Sequence, residues 1–125
     1  MTLLIVDDAA DCASTLELAL DSMEGVSVVS AQSAEEALVI LESRTVSGVI
    51  TDLQLPEMSG LDLIARIRAR SDGAAIPIVV VSANSDPLAP ETVLRLGANA
   101  FFSKPFSPSA VRKKLEELIH GRPQP

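Results

Sequence analysis

The strongest constraint in this chain is an alternation of short aliphatic runs with longer stretches of helical period. The runs are Leu3-Leu4-Ile5-Val6, Val26-Ser27-Val28-Val29, Val49-Ile50-Thr51, Ile78-Val79-Val80-Val81 and the weaker Ala100-Phe101-Phe102. The first and fourth lack polar alternation, the pattern of strands buried on both faces of a parallel sheet. Between the first two runs, Cys12, Leu16, Ala19, Leu20 and Met23 fall at i, i+4, i+7, i+8 and i+11, one face of a helix. Ala34, Ala37, Leu38 and Leu41 repeat that spacing, and Leu61, Ile64 and Ile67 mark a third helix. Val93, Leu94 and Leu96 suggest a less regular fourth, crowded by Pro87 and Pro90, and Val111, Leu115, Leu118 and Ile119 a fifth.

Punctuation agrees with the periods. Ser33 with Glu36 has the form of a capping box, Ser59 with Asp62 is a similar pair, and Ser107 precedes a proline at the first helical position. Asp72-Gly73 and Gly97 stand where helices should stop. Strands alternating with helices imply a parallel sheet with right-handed crossovers and helices on both faces. Five such strands commonly take the order 2-1-3-4-5, a doubly wound α/β fold of flavodoxin-like type. In that order the connections leaving the first and third strands run to opposite faces, and a crevice opens between their carboxyl ends.

With 125 residues the chain has room for one domain, expected over residues 1–120, with 121–125 a tail or the start of a linker. Ten basic against 17 acidic residues give a net charge of −7, which argues against direct nucleic-acid binding. A single cysteine, Cys12, rules out an intramolecular disulfide, and its place on the first helix's apolar stripe suits packing. No apolar run approaches the roughly 20 residues needed to span a bilayer, and the N-terminus lacks a basic flank. The expectation is a cytoplasmic protein with no membrane contact.

Polar residues gather where that fold brings strands to one edge. The first strand ends in Asp7-Asp8, the third in Asp52, the fourth in Ser82, and the fifth runs into Lys104. Taken singly, each has an ordinary explanation: a helix-dipole partner, a turn aspartate, a loop serine, a surface lysine. Jointly they describe a site. Like carboxylates at about 4 Å repel by roughly 4 kcal/mol at an effective dielectric near 20. Such a group either takes up a proton or binds a divalent cation. Hard oxygen donors with room for water suit Mg²⁺, with Mn²⁺ as a substitute. An ammonium and a hydroxyl opposite suit a phosphoryl group.

At these residues the whole chain, from 3 to 120, resembles the receiver domain of bacterial two-component response regulators. The matching pieces are Val6-Asp7-Asp8, Asp52-Leu53-Gln54-Leu55-Pro56-Glu57-Met58-Ser59-Gly60, Val81-Ser82-Ala83, Gly97-Ala98 and Phe101-Phe102-Ser103-Lys104-Pro105-Phe106. The resemblance implies that Asp52 is a phosphoacceptor, loaded by a sensor histidine kinase, a phosphotransfer protein or a small phosphodonor. Asp8, Asp52 and the backbone carbonyl of Gln54 would ligate Mg²⁺, and Asp7 would act through water. Lys104, before a cis Pro105, and Ser82 would contact the phosphoryl group, and Phe101 would turn into space left by Ser82. Gln54 and Asn84 would tune the phosphoryl lifetime. A downstream protein or output domain would be met by the fourth helix, fifth strand and fifth helix, and dimerisation is left open.

Three rivals are weighed against this. A phosphohydrolase resembling the haloacid dehalogenase group needs a second Asp two residues after the nucleophile as acid and base, and Gln54 occupies that position. A flavin-binding module needs phosphate-cradling donors after the first strand, where Asp7-Asp8-Ala9-Ala10-Asp11 places carboxylates. A receiver signalling by protein contact without phosphorylation finds no positive support, because all the key side chains are present. Slow dephosphorylation, rather than enzymatic turnover, is the behaviour expected.

Overall fold

Strands β1 (Thr2–Val6), β2 (Ser27–Ala31), β3 (Gly48–Thr51), β4 (Ile78–Ser82) and β5 (Ala100–Ser103) form one parallel sheet in the order β2-β1-β3-β4-β5. This is the doubly wound order expected. The helices are α1 (Ala10–Asp21), α2 (Ala34–Ser43), α3 (Gly60–Ala69), α4 (Ala89–Leu96) and α5 (Pro108–Ile119). This computed structural model describes residues 1–70, 75–83 and 89–120. The expectations for Asp72-Gly73, Asn84, Pro87 and the 121–125 tail lie outside the described residues.

The two-residue period of the strands divides the core. Leu3, Ile5, Ile50, Val79 and Val81 pack on one face with Leu16 and Leu20 of α1 and Val111 and Leu115 of α5. Leu4, Val6, Val49, Ile78 and Val80 point the other way, toward α2, α3 and α4. Both strand faces are therefore buried, which is why the central runs carry no polar alternation. Each fully buried Leu, Ile or Val contributes about 1.5–3 kcal/mol relative to exposure. Because α1 follows β1 onto one face and α3 follows β3 onto the other, the crevice opens between β1 and β3.

The caps act as the sequence predicts. Ser33, Ser59 and Ser107 each accept a backbone N–H from the third residue beyond, and Pro108 opens α5. The Glu36 side chain reaches back to the Gln32 N–H, one residue outside the cap.

Several boundaries and faces differ from expectation. β2 begins one residue late and extends to Ala31, because the Ala31 carbonyl still has a partner in the N–H of Asp7. Met23 is buried but lies beyond α1, in a turn closed by its N–H on the Leu20 carbonyl. Leu63, absent from the periodic set of the third helix, is fully buried beside Ile64 and Ile67. On α4 the buried face is Ala89 and Val93, one turn apart, which leaves Leu94 and Leu96 exposed.

Candidate functional site

The sheet ladder runs one residue past its strands and so fixes the site's backbone. Asp7 N–H donates to Ala31, Asp52 N–H to Val6, and Lys104 N–H to Ser82, each onto a carbonyl at 2.9–3.0 Å. Three side chains thereby meet at the carboxyl edge. Lys104 Nζ lies 2.8 Å from Asp52 Oδ2 and 3.4 Å from Asp7 Oδ2. Both carboxylates are buried, at 2% exposure for Asp7 and 5% for Asp52, and the lysine reaches them from a side chain still 21% exposed.

Each carboxylate is also tethered locally. Asp7 Oδ1 accepts the Ala9 N–H at 2.8 Å, and Asp52 Oδ1 accepts the Gln54 N–H at 3.1 Å. Burial works against the Lys104 charge, but the Asp52 hydrogen bond and the charges of Asp52 and Asp7 outweigh it and hold the ammonium above its ordinary pKa.

The loop after Asp52 is shaped by one close approach. Gly60, the first residue of α3, donates its N–H to the Leu53 carbonyl at 2.9 Å. A Cβ on Gly60 would lie 2.2 Å from the Asp52 carbonyl oxygen and 2.7 Å from Leu53 Cα, so only glycine lets α3 start this close beneath Asp52. In the same loop Glu57 adopts a φ of 66°.

The remaining candidates divide. Ser82 is fully buried at the end of β4, in register with Ser103. Phe101 pairs with Val80 in the ladder and is partly buried against the α2, α3 and α4 side of the core. The Lys104-Pro105 bond is cis, as the resemblance implied. Asp8 is exposed at the rim, although the expectation was three converging carboxylates. The buried pair is instead Asp7 and Asp52, with an ammonium across them, because two close carboxylates away from water need a counter-charge. The Gln54 side chain is exposed, and its backbone N–H is what touches Asp52.

Cys12, expected from the sequence to pack on the first helix's apolar stripe, is partly buried against the Leu16 and Leu20 side of the core. It lies in the first turn of α1 and, with Asp11, Thr15, Lys104, Pro105 and Phe106, lines an open cavity of about 290 Å³ beside the acid–lysine cluster. Burial, then a hydrogen bond to Asp7 and its charge, push its thiol up from 9.0 to about 11, so it is an inert neighbour at neutral pH. Its place in the first turn of α1, just past the end of β1, brings it beside Asp7.

The donor chemistry fits a hard divalent cation. Two buried carboxylates face a single ammonium, and a third carboxylate stands at the rim. Among the described residues, no group of three or more His, Cys, Asp and Glu is already gathered as a metal site. No helix among them is long and apolar enough to cross a membrane.

A doubly wound parallel sheet with paired acids and a lysine at its carboxyl edge places the chain in the class of α/β proteins with a polar site at the strand ends. Residues 3–116 match the response regulator receiver domain family, and the chain belongs to that family. It is 32% identical over 120 residues to a chemotaxis protein CheY homologue of Campylobacter jejuni, covering 95% of this chain and 92% of that relative. The structure of a response regulator receiver protein from Pseudomonas putida is 40% identical, with a TM-score of 0.79 over 95% of this chain and 94% of that one. The signal receiver domain of a signal transduction histidine kinase from Syntrophus aciditrophicus superposes with a TM-score of 0.86 at 26% identity, covering 99% of this chain and 93% of that one.

Proposed function

We propose that this receiver domain is a phosphoacceptor switch with Asp52 as its nucleophile. The observation that carries the reading is the Lys104 ammonium held on two buried carboxylates at the crevice, 2.8 Å from Asp52 and 3.4 Å from Asp7. An Asp52 oxygen attacks the phosphorus of a phosphohistidine on a sensor kinase or phosphotransfer protein. A P–O bond forms, the P–N bond breaks, and the imidazole leaves with the electron pair and takes up a proton. Lys104 exchanges one Asp52 oxygen for a phosphoryl oxygen and neutralises its charge. Ser82, at the end of β4, donates its hydroxyl to another.

Asp8, Asp52 and the Gln54 carbonyl would hold Mg²⁺, or Mn²⁺ in its place, with Asp7 acting through water. When bound, that cation supplies positive charge to the transferring phosphoryl oxygens. The product acyl phosphate persists because Gln54 offers no acid or base for its hydrolysis; Asn84 would tune the lifetime with it. Phosphorylation adds about −1.5 to −2 charges and biases the Ser82 and Phe101 positions. The consequence is a changed surface on α4, β5 and α5, where Leu94 and Leu96 are exposed to meet a downstream protein or output domain. The setting for this chemistry is the cytoplasm.

Intact mass after incubation with Mg²⁺ and acetyl phosphate tests the assignment. Wild type gains one phosphoryl group and Asp52→Asn gains none. Equal labelling of the two would overturn it.

A further inference from the structure

The amino edge of the sheet holds a second polar assembly, remote in the fold from Asp52 and centred on Arg68 near the end of α3. Its guanidinium donates from Nε and Nη2 to the Gly97 carbonyl, at 3.0 and 2.7 Å. Nη1 reaches the Ile76 carbonyl at 2.7 Å and Nη2 the Asn99 Oδ1 at 3.1 Å. Asn99 extends the assembly into β4: its Oδ1 accepts the Ile78 N–H at 2.8 Å, and its own N–H donates to the Ile78 carbonyl at 2.7 Å.

The target of this fork is the end of α4, which is closed by a Schellman motif. Gly97 has a φ of +120°, its N–H returns to Leu94, and the Ala98 N–H returns to Val93. A cation on the carbonyl just past a helix also complements its dipole. The Arg68 stem lies so close that a Cβ on Gly97 would sit 2.9 Å from Arg68 Cγ.

The packing of α4 makes this fork matter. Its eight residues bury only Ala89 and Val93, whereas α3 buries Gly60, Leu63, Ile64 and Ile67. A helix so lightly packed is drawn from the low-stability end of a fold. Its carboxyl end is nevertheless tied to α3, whose ten residues form a rod of about 15 Å starting under Asp52.

We infer that Arg68 is a positioning residue that pins the carboxyl end of α4 and the entry to β5 onto α3, so that α4 moves on signalling as a lever pivoting at Gly97 rather than by sliding as a whole. The pinning is a property of the unphosphorylated protein. The lever rests on the phosphoacceptor reading above.

Amide exchange by NMR on the unphosphorylated full chain tests the pin. In Arg68→Met, which keeps the apolar stem and loses the donors, the Ile78, Ala98 and Asn99 amides exchange roughly tenfold faster, while β1 and β3 amides do not change. Arg68→Lys, a milder variant should Arg68→Met unfold, gives a smaller acceleration at the same amides. Unchanged exchange in a folded variant overturns the pin.

Mg²⁺ and acetyl phosphate then test the lever. Wild-type shift changes concentrate in the amino-terminal half of α4 and fade toward Gly97, and in Arg68→Met they spread through Leu94 to Asn99. Changes in wild type as large at Gly97 as at Ala89 overturn it. If intact mass shows no phosphoryl group on wild type, the phosphoacceptor reading and the lever fall together, and the exchange comparison still decides the pin.

Discussion

The two edges of the sheet are both polar, but they are built on opposite plans. At the carboxyl edge, full charges face one another: two buried carboxylates share one ammonium, and the local tethers are single N–H groups. At the amino edge, Arg68 spends its fork on backbone carbonyls and an amide oxygen that are themselves locked into β4 and the α4 terminus. The first arrangement stays together through charge balance. The second stays together through the fixed geometry of its hydrogen bonds. On the proposed reading the two are complementary, since a part that moves has to move against one that is held.

The largest test of this contrast is Lys104→Ala. Removing the cation leaves Asp7 and Asp52 buried and uncompensated, a loss of about 3–5 kcal/mol in urea unfolding at neutral pH. Asp7→Asn in the same background recovers part of the loss, because one fewer buried carboxylate is left without a counter-charge. The wild type loses the counter-charge at high pH. The Lys104 pKa is raised on folding, so its contribution is fully present below the ordinary lysine value of 10.5 and is lost as the pH climbs through the higher folded value. Lys104→Ala lacks that alkaline loss. Equal pH profiles for the two proteins would mean the ammonium is not what balances this edge. The variant also keeps its cation ligands but responds less to phosphorylation, read by chemical shifts or partner affinity.

Gly60→Ala probes geometry at the same edge. Its new methyl would meet backbone, at 2.2 Å from the Asp52 carbonyl oxygen, and backbone cannot rotate away. We expect a loss of about 1–3 kcal/mol and a slower gain of phosphoryl mass, since the loop carrying Asp52 has to shift. Unaltered phosphorylation with lowered stability would separate the loop from the chemistry.

The carboxyl edge was largely legible in the residues because strand period and strand order together dictate which polar groups share an edge. Asp7, Asp52, Ser82 and Lys104 each follow an aliphatic run, and parallel strands deliver all run ends to one side. What was not legible is which neighbour goes inside. Asp7 and Asp8 are identical in type, and the ladder bond from Asp7 to Ala31, which decides that Asp7 is the buried one, joins residues 24 positions apart. The amino edge was hidden for a similar reason. Arg68 looks like any basic residue in the last turn of a helix, and its Gly97 and Asn99 partners lie 29 and 31 residues away. Val93, Leu94 and Leu96 gave no clean period because only Val93 of the three belongs to the buried face of α4, which it shares with Ala89.

The smallest effect belongs to Gly48→Ala, and it sharpens the comparison by placing the same substitution at the other edge. Gly48 opens β3 beneath α5, where a Cβ would come within 3.2 Å of Leu115 Cδ1 and Leu3 Cδ2. Those are methyl groups at the ends of flexible side chains, which can retreat by a few tenths of an ångström. The added methyl also narrows the unfolded ensemble, worth about 0.4–1 kcal/mol in the opposite direction. The two contributions nearly cancel, so urea unfolding should show a change below about 1 kcal/mol, with phosphorylation by acetyl phosphate unaltered. A cost as large as that of Gly60→Ala would show that crowding alone, and not contact with the Asp52 backbone, makes a glycine indispensable in this sheet.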